Sequence, residues 1–206
     1  MIEIDLHRTR DGELVVTHDE NLAGLGGAGE IADATAAEVR ALDAGAGERI
    51  PTLDEVLDAF GDRIPFNLEL KRGTAADYER LEAATLDAVE RRGLLASTLF
   101  SCFHDPVLAR LRAVSPAARM ALLLSVRFPH RPIERALALG AEAINPSRHL
   151  VSPELLDAAH GEGLAVLVYT VDAEDEMRRL LDQGVDGIFT NYPGRLRHVV
   201  DATGSP

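Results

Sequence analysis

From residue 64 to its end, the chain alternates short aliphatic runs with longer amphipathic segments, without a break. Strands that alternate with helices cannot pair as hairpins. They form a mostly parallel sheet covered by the intervening helices. The spacing predicts strands at residues 64–71, 98–103, 119–124, 143–145, 165–170 and 187–190. It predicts helices over 75–92, 106–114, 132–139, 153–162, 173–183 and 193 to about 200. Proline opens several of these helices, and Gly93, Gly140, Gly163 and Gly184 follow their ends, the usual asymmetry of helix termini.

The first nineteen residues carry the densest chemistry. Ile2, Ile4 and Leu6 alternate with Glu3, Asp5 and His7, so a strand here puts three aliphatics on one face and three ionisable groups on the other. Carboxylates on an inner face are costly without a cation or partner. The Arg10-Asp11-Gly12-Glu13 turn and the extended run Leu14-Val15-Val16 then deliver His18 and Asp19. Two carboxylates two residues apart, followed by a histidine after a tight return, suit both cation binding and proton transfer. The strand at 64–71 repeats the design: Phe66, Leu68 and Leu70 face one way, and Asn67, Glu69 and Lys71 the other.

Between these strands, Thr35–Glu38 and Thr52–Glu55 are capping boxes that open helices reaching Leu42 and Phe60. The glycine-rich stretch through Gly29 lacks the Lys-Ser/Thr of a phosphate loop and is expected to be a flexible connection. Barrel-type strands are expected near Ile4, Leu68, Leu99, Leu122, Ile144, Val168 and Ile188. A closed (β/α)8 barrel has eight. Glu3, Asp5, Glu69, Lys71, Ser101, Asn145, Thr170, Asp172, Thr190 and Asn191 mark the strand ends where barrel enzymes place their chemistry. The rival, an open doubly wound sheet, predicts a phosphate-binding loop after the first strand, and the sequence has none there.

The 206 residues suit one domain, residues 1–206, and 46% hydrophobic content suffices for its core. A net charge of −13 excludes the basic face of a nucleic-acid binder. No apolar run approaches the roughly 18 residues of a membrane span, and the N-terminus lacks the pattern of a signal peptide. With one cysteine, Cys102, there is no internal disulfide framework, and a cytoplasmic setting is expected. Cys102 is expected to point away from Ser101 as a buried, inert thiol.

The ordered set of motifs resembles the glycerophosphodiester phosphodiesterase family from residue 1 to about 197. The carrying segments are Glu3-Ile-Asp5 through Thr17-His18-Asp19, Ile50-Pro51-Thr52-Leu53, Asn67-Leu-Glu69-Leu-Lys71, Gly163 through Val171, and Gly184 through Pro193. The resemblance implies a TIM-type (β/α)8 barrel that hydrolyses glycerophosphodiesters to glycerol 3-phosphate and an alcohol, in lipid and glycerol metabolism. It implies a divalent cation, Mg²⁺ or Ca²⁺, held by Glu3, Asp5 and Glu69. His18 is then one of two catalytic histidines, Lys71 contacts the phosphate or the ligand network, and Tyr169 forms an aromatic wall of the substrate pocket. In the family the substrate's own glycerol hydroxyl attacks first, giving a cyclic phosphate that is then hydrolysed.

Three departures bear on that expectation. The family's opening His-Arg-Gly strand and its helix are absent, which accounts for about seven barrel strands and removes the second histidine. Its late Trp is Tyr169, and the Asp of its Thr-Asp-x-Pro ending is Asn191. A non-catalytic member that binds a cation or phosphodiester without turnover is therefore the alternative, as is a start codon lying further upstream. Homo-oligomerisation through an open barrel edge is a further expectation. A related barrel acting on choline phospholipids is disfavoured by the single cysteine. His7-Arg8 echoes the missing pair, but His7 is not expected to replace it. His104, His130, His149, His160 and His198 read as loop or surface residues, and Asp172 and Asn145 as either ligand contacts or caps.

Overall fold

The computed structural model describes residues 1–74 and 77–203. Its contacts gather into two compact units. One comprises Met1–Cys102 with Pro106–Arg119, and the other Phe103–Asp105 with Met120 onward.

In the first unit, β1 (Ile2–Arg8), β3 (Phe66–Leu70) and β4 (Thr98–Cys102) are parallel neighbours. A short β2 (Leu14–Val16) runs antiparallel along the other side of β1. The return between β1 and β2 is tight. Gly12, at φ +96, is a position that favours glycine, and a Cβ there would lie 2.7 Å from the Arg8 guanidinium. Asp11 accepts from the Thr9 hydroxyl and the Ala36 amide, tying this turn to the next helix.

Both capping boxes form as the sequence predicts. Thr35 opens α1 (Ala36–Arg40) and Thr52 opens α2 (Leu53–Phe60), each with its glutamate reaching back to the cap. Glu55 also takes both Arg40 nitrogens, at 2.6 and 2.7 Å. The Arg40 hydrogen bonds and the Thr52 amide hold its carboxyl down at about 2. The glycine-rich stretch is more ordered than expected. Leu22–Leu25 forms a 3₁₀ turn capped by Asn21, and Leu22 buries with Val15, Ile31, Val39 and Ile50. One buried leucine and one cap outweigh the low helix propensity of the glycines around them.

The helix predicted over 75–92 is observed as α3 (Leu81–Glu90). Arg80, at φ +55, is left-handed and cannot belong to a right-handed helix. The predicted start at Ala75 lies outside the described residues. The unit is completed by most of α4 (Asp105–Val114). Phe66, Leu68 and Leu70, on the non-polar face of β3, are at most 2% exposed. Replacing Leu68 by Ala is expected to cost about 2–5 kcal/mol through lost burial and a residual cavity. The measurement is the urea midpoint, and a shift below about 1 kcal/mol would contradict this packing.

In the second unit, β5 (Arg119–Leu124), β6 (Ala143–Pro146), β7 (Ala165–Val168) and β8 (Gly187–Ile188) pair in parallel, in chain order. The helices are α5 (Pro132–Leu139), α6 (Pro153–Gly161), α7 (Glu174–Asp182) and α8 (Pro193–Thr203). Both β7 and β8 stop about two residues short of the predicted ends. Phe189 still pairs through its backbone with Val168 and Val171, and side chains take over beyond it. Asp172 accepts from the Thr190 hydroxyl, the Asn191 backbone amide and the Asn191 side-chain amide, at 2.9–3.0 Å. Asp172 therefore caps this turn. Asn191 suits it because an amide donates to Asp172 where a second carboxylate would repel it.

Candidate active site

Parallel register decides which side chains share a face. Glu3 of β1 lies beside Asn67 of β3, Asp5 beside Glu69, and Glu69 beside Ser101 of β4. Paired positions in a parallel sheet point the same way. The ionisable faces read from the sequence thus merge into one polar surface in the first unit. One carboxylate oxygen from each of Glu3, Asp5 and Glu69 lies within 4.8 Å of the other two. Lys71 follows β3 directly, and its Nζ sits 2.9 Å from Glu69 Oε1 and 3.2 Å from Asp5 Oδ1.

The electrostatics show a surplus of negative charge. Burial, then the charges of Asp5 and Glu69, push Glu3 up to about 7 against the pull of Lys71 and His18. Burial also raises Glu69, although Lys71 opposes it. Burial alone lowers Lys71, but the charges of Glu69 and Asp5 carry it above its ordinary value. A single ammonium therefore faces three carboxylates.

A divalent cation fits this arrangement. Hard cations take carboxylate oxygens at about 2.0–2.6 Å, so oxygens around one ion sit up to roughly 4–5 Å apart, as these do. Glu3, Asp5 and Glu69 would hold it. A pH dependence follows. Glu3 binds its proton more tightly in the folded chain, so without a cation stability falls as pH rises from the unfolded value of 4.5 through about 7. Added Ca²⁺ or Mg²⁺ must displace that proton and is expected to raise the melting temperature more at pH 8 than at pH 6. Melting curves at the two pH values, with and without cation, check this. An equal rise at both would contradict it.

His18 follows β2 in an exposed loop, with 79% of its side chain accessible. Its Nδ1 lies 2.6 Å from Asp19 Oδ1. An ionised carboxylate only accepts, so Nδ1–H donates and Nε2 keeps a lone pair for proton transfer. A proton gained by the His18 ring would act electrostatically on both Glu3 and Glu69. The structure thus brings Glu3, Asp5, Glu69 and Lys71 together, with His18 in the same unit. Tyr169 belongs to the second unit, where its hydroxyl donates to the Leu124 carbonyl at 2.7 Å and its ring meets Phe103 edge-on.

Several residues take forms the sequence left open. His7 is fully buried, and burial lowers its pKa, so it stays neutral and out of reach of substrate. Its partner is Tyr78, 71 residues away, which no motif announced. Asn67, Ser101 and Asn145 are at most 1% exposed, and their side-chain polar atoms have no hydrogen-bond partner among the described residues. Cys102 is buried, with Sγ 3.0 Å from the Leu70 carbonyl, as an inert thiol should be.

Comparison with known proteins agrees with this geometry. The model of the "glycerophosphoryl diester phosphodiesterase family" matches residues 1–195. A glycerophosphodiester phosphodiesterase of Caldanaerobacter subterraneus is 33% identical over 97% of this chain and 85% of its own length. One from Bacillus subtilis is 31% identical over 96% of this chain and 75% of its own. An Oleispira antarctica phosphodiesterase, solved with its product sn-glycerol-3-phosphate, superposes with a TM-score of 0.86 at 28% identity. That match covers 97% of this chain and 84% of the other. The fold class is therefore α/β of the TIM-type phosphodiesterase barrels, as the sequence predicted. No helix among the described residues is long and apolar enough to cross a membrane.

Proposed function

We propose that this chain, which belongs to the glycerophosphoryl diester phosphodiesterase family, hydrolyses glycerophosphodiesters to glycerol 3-phosphate and an alcohol with a divalent cation. The observation that carries the reading is the convergence of Glu3, Asp5 and Glu69 within 4.8 Å, with Lys71 bridging two of them. The relatives' names and the glycerol phosphate in the Oleispira antarctica structure support the substrate class.

A phosphodiester monoanion resists an approaching nucleophile until its charge is offset. A cation held by Glu3, Asp5 and Glu69 would supply that offset. Lys71 holds Asp5 and Glu69 in their orientation and adds positive charge beside the phosphate. His18 moves the proton at Nε2. It accepts one from the attacking glycerol hydroxyl as the new P–O bond forms and returns it to the departing alkoxide as that P–O bond breaks; water then adds to the cyclic phosphate and opens it to glycerol 3-phosphate. Asp19 fixes the tautomer and stabilises the imidazolium in between.

The test is product identity. Glycerophosphocholine is incubated with the chain and Mg²⁺ or Ca²⁺, and the phosphorus products are followed by ³¹P NMR. Glycerol 3-phosphate with free choline is expected. Phosphocholine with glycerol, or no turnover by a folded, cation-binding chain, would overturn the reading.

A further inference from the structure

His7 and Tyr78 have no place in the chemistry above, yet they form one of the few buried polar side-chain pairs described in the first unit. His7 is 0% and Tyr78 8% exposed. The Tyr78 hydroxyl lies 2.7 Å from His7 Nδ1, with the rings edge-on at 5.6 Å. The other ring nitrogen, Nε2, lies 3.2 Å from the backbone carbonyl of His18. A carbonyl only accepts, so Nε2 carries the hydrogen. In the neutral ring Nδ1 then accepts, and Tyr78 donates to it. Every polar atom of the chain Tyr78 Oη–H → His7 Nδ1, His7 Nε2–H → His18 C=O thus has a defined role. Its far end is the backbone of the residue that carries the acid/base.

The loop has few other anchors there. The His18 side chain is largely exposed, and its described side-chain bond is to its own neighbour, Asp19. The nearest backbone ties are the Val16 amide to the Pro51 carbonyl and the Thr17 amide to the Asp5 carbonyl before His18, and the Ile31 amide to the Glu20 carbonyl after it. Among the described residues, the bond from His7 is the one to the His18 backbone itself, and it starts from the strand that carries Glu3 and Asp5. It therefore couples the position of the imidazole to that of the carboxylates.

We propose that Tyr78 and His7 are positioning residues, a hydrogen-bonded strut that sets the His18 loop against the carboxylate cluster. The inference rests on the assignment of His18 as the acid/base. Displacement of a catalytic group by about 1 Å can cost about 10²-fold. His7→Leu removes both bonds while keeping an apolar filling. It is expected to lower kcat by about 10–100-fold with KM and the cation Kd within about threefold. His7→Gln keeps a side-chain N–H for the His18 carbonyl and is expected to recover most of the loss. Tyr78→Phe keeps the ring packing, frees the tautomer, and is expected to fall between them.

Two readouts do not depend on turnover. ¹⁵N NMR of the wild-type imidazole is expected to show His7 protonated at Nε2 and not at Nδ1. Amide exchange across Thr17–Asp19 is expected to quicken about tenfold or more in His7→Leu, but not in His7→Gln. A His7 ring protonated at Nδ1, or unchanged loop exchange and kcat in a folded His7→Leu, would overturn the strut. If the NMR and exchange results hold while the wild type turns over no phosphodiester, the strut stands and the function assigned to the site fails.

Discussion

Glu69→Gln is expected to lower cation-dependent turnover by about three powers of ten while leaving the fold intact. The substitution keeps the shape of the side chain and removes one charge from the centre of the cluster. Opposite charges about 4 Å apart, at the effective dielectric of a partly buried site, interact by about 4 kcal/mol, which is close to a factor of 10³. The fold should tolerate the change because Glu69 is costly as an anion. It is 9% exposed, and burial pushes its pKa up. A neutral amide avoids that desolvation, and Lys71 keeps Asp5 as its partner. Without cation, the variant is expected to melt within a few degrees of the wild type. With cation, the wild type gains stability by mass action and the variant gains far less. Calorimetric titration with Ca²⁺ and steady-state assays check both halves. Retained activity, or collapse of the fold, would count against the role given to Glu69.

His18→Ala is expected to lower kcat by about 10²–10⁴-fold, the usual contribution of a positioned acid or base. The cation Kd should hardly change, because the imidazole lies outside the oxygen set formed by Glu3, Asp5 and Glu69. Stability should hardly change either, since the side chain is 79% exposed. Asp19→Ala is expected to cost less, about 10–100-fold, because it orients the ring without exchanging the proton itself. A His18→Ala enzyme that loses cation affinity in step with activity would instead make His18 a ligand.

Much of the site was legible because a strand has a period of two. Once residues 2–8 and 64–71 are strands, Glu3, Asp5, Glu69 and Lys71 must fall on common faces. The adjacency of β1 and β3 was less accessible, because β2 and two helices intervene in the chain before β3 arrives. The resemblance of the motifs to the family supplied that step. Tyr78 was beyond reach. It precedes α3 in an irregular segment, and its contact with His7 has no period or motif to betray it. The ordering of Leu22 was missed for a related reason. Its burial depends on Ile31, Val39 and Ile50, which the local sequence does not bring near it. Beyond the ends of β7 and β8 the backbone still pairs through Phe189 with Val168 and Val171, and Asp172 then closes the turn through Thr190 and Asn191, a side-chain cap that strand periodicity does not announce.

The central claim is that Glu3, Asp5 and Glu69, two of them oriented by Lys71, hold a cation that the chemistry requires. The most direct measurement strips the chain with EDTA and titrates Mg²⁺ or Ca²⁺ back while glycerol 3-phosphate release is followed. Activity is predicted to vanish on stripping and to return in proportion to one bound cation per chain. It is also predicted to stay absent in Glu69→Gln at the cation concentration that restores the wild type. Full turnover in the stripped protein, or recovery in both proteins alike, would contradict it.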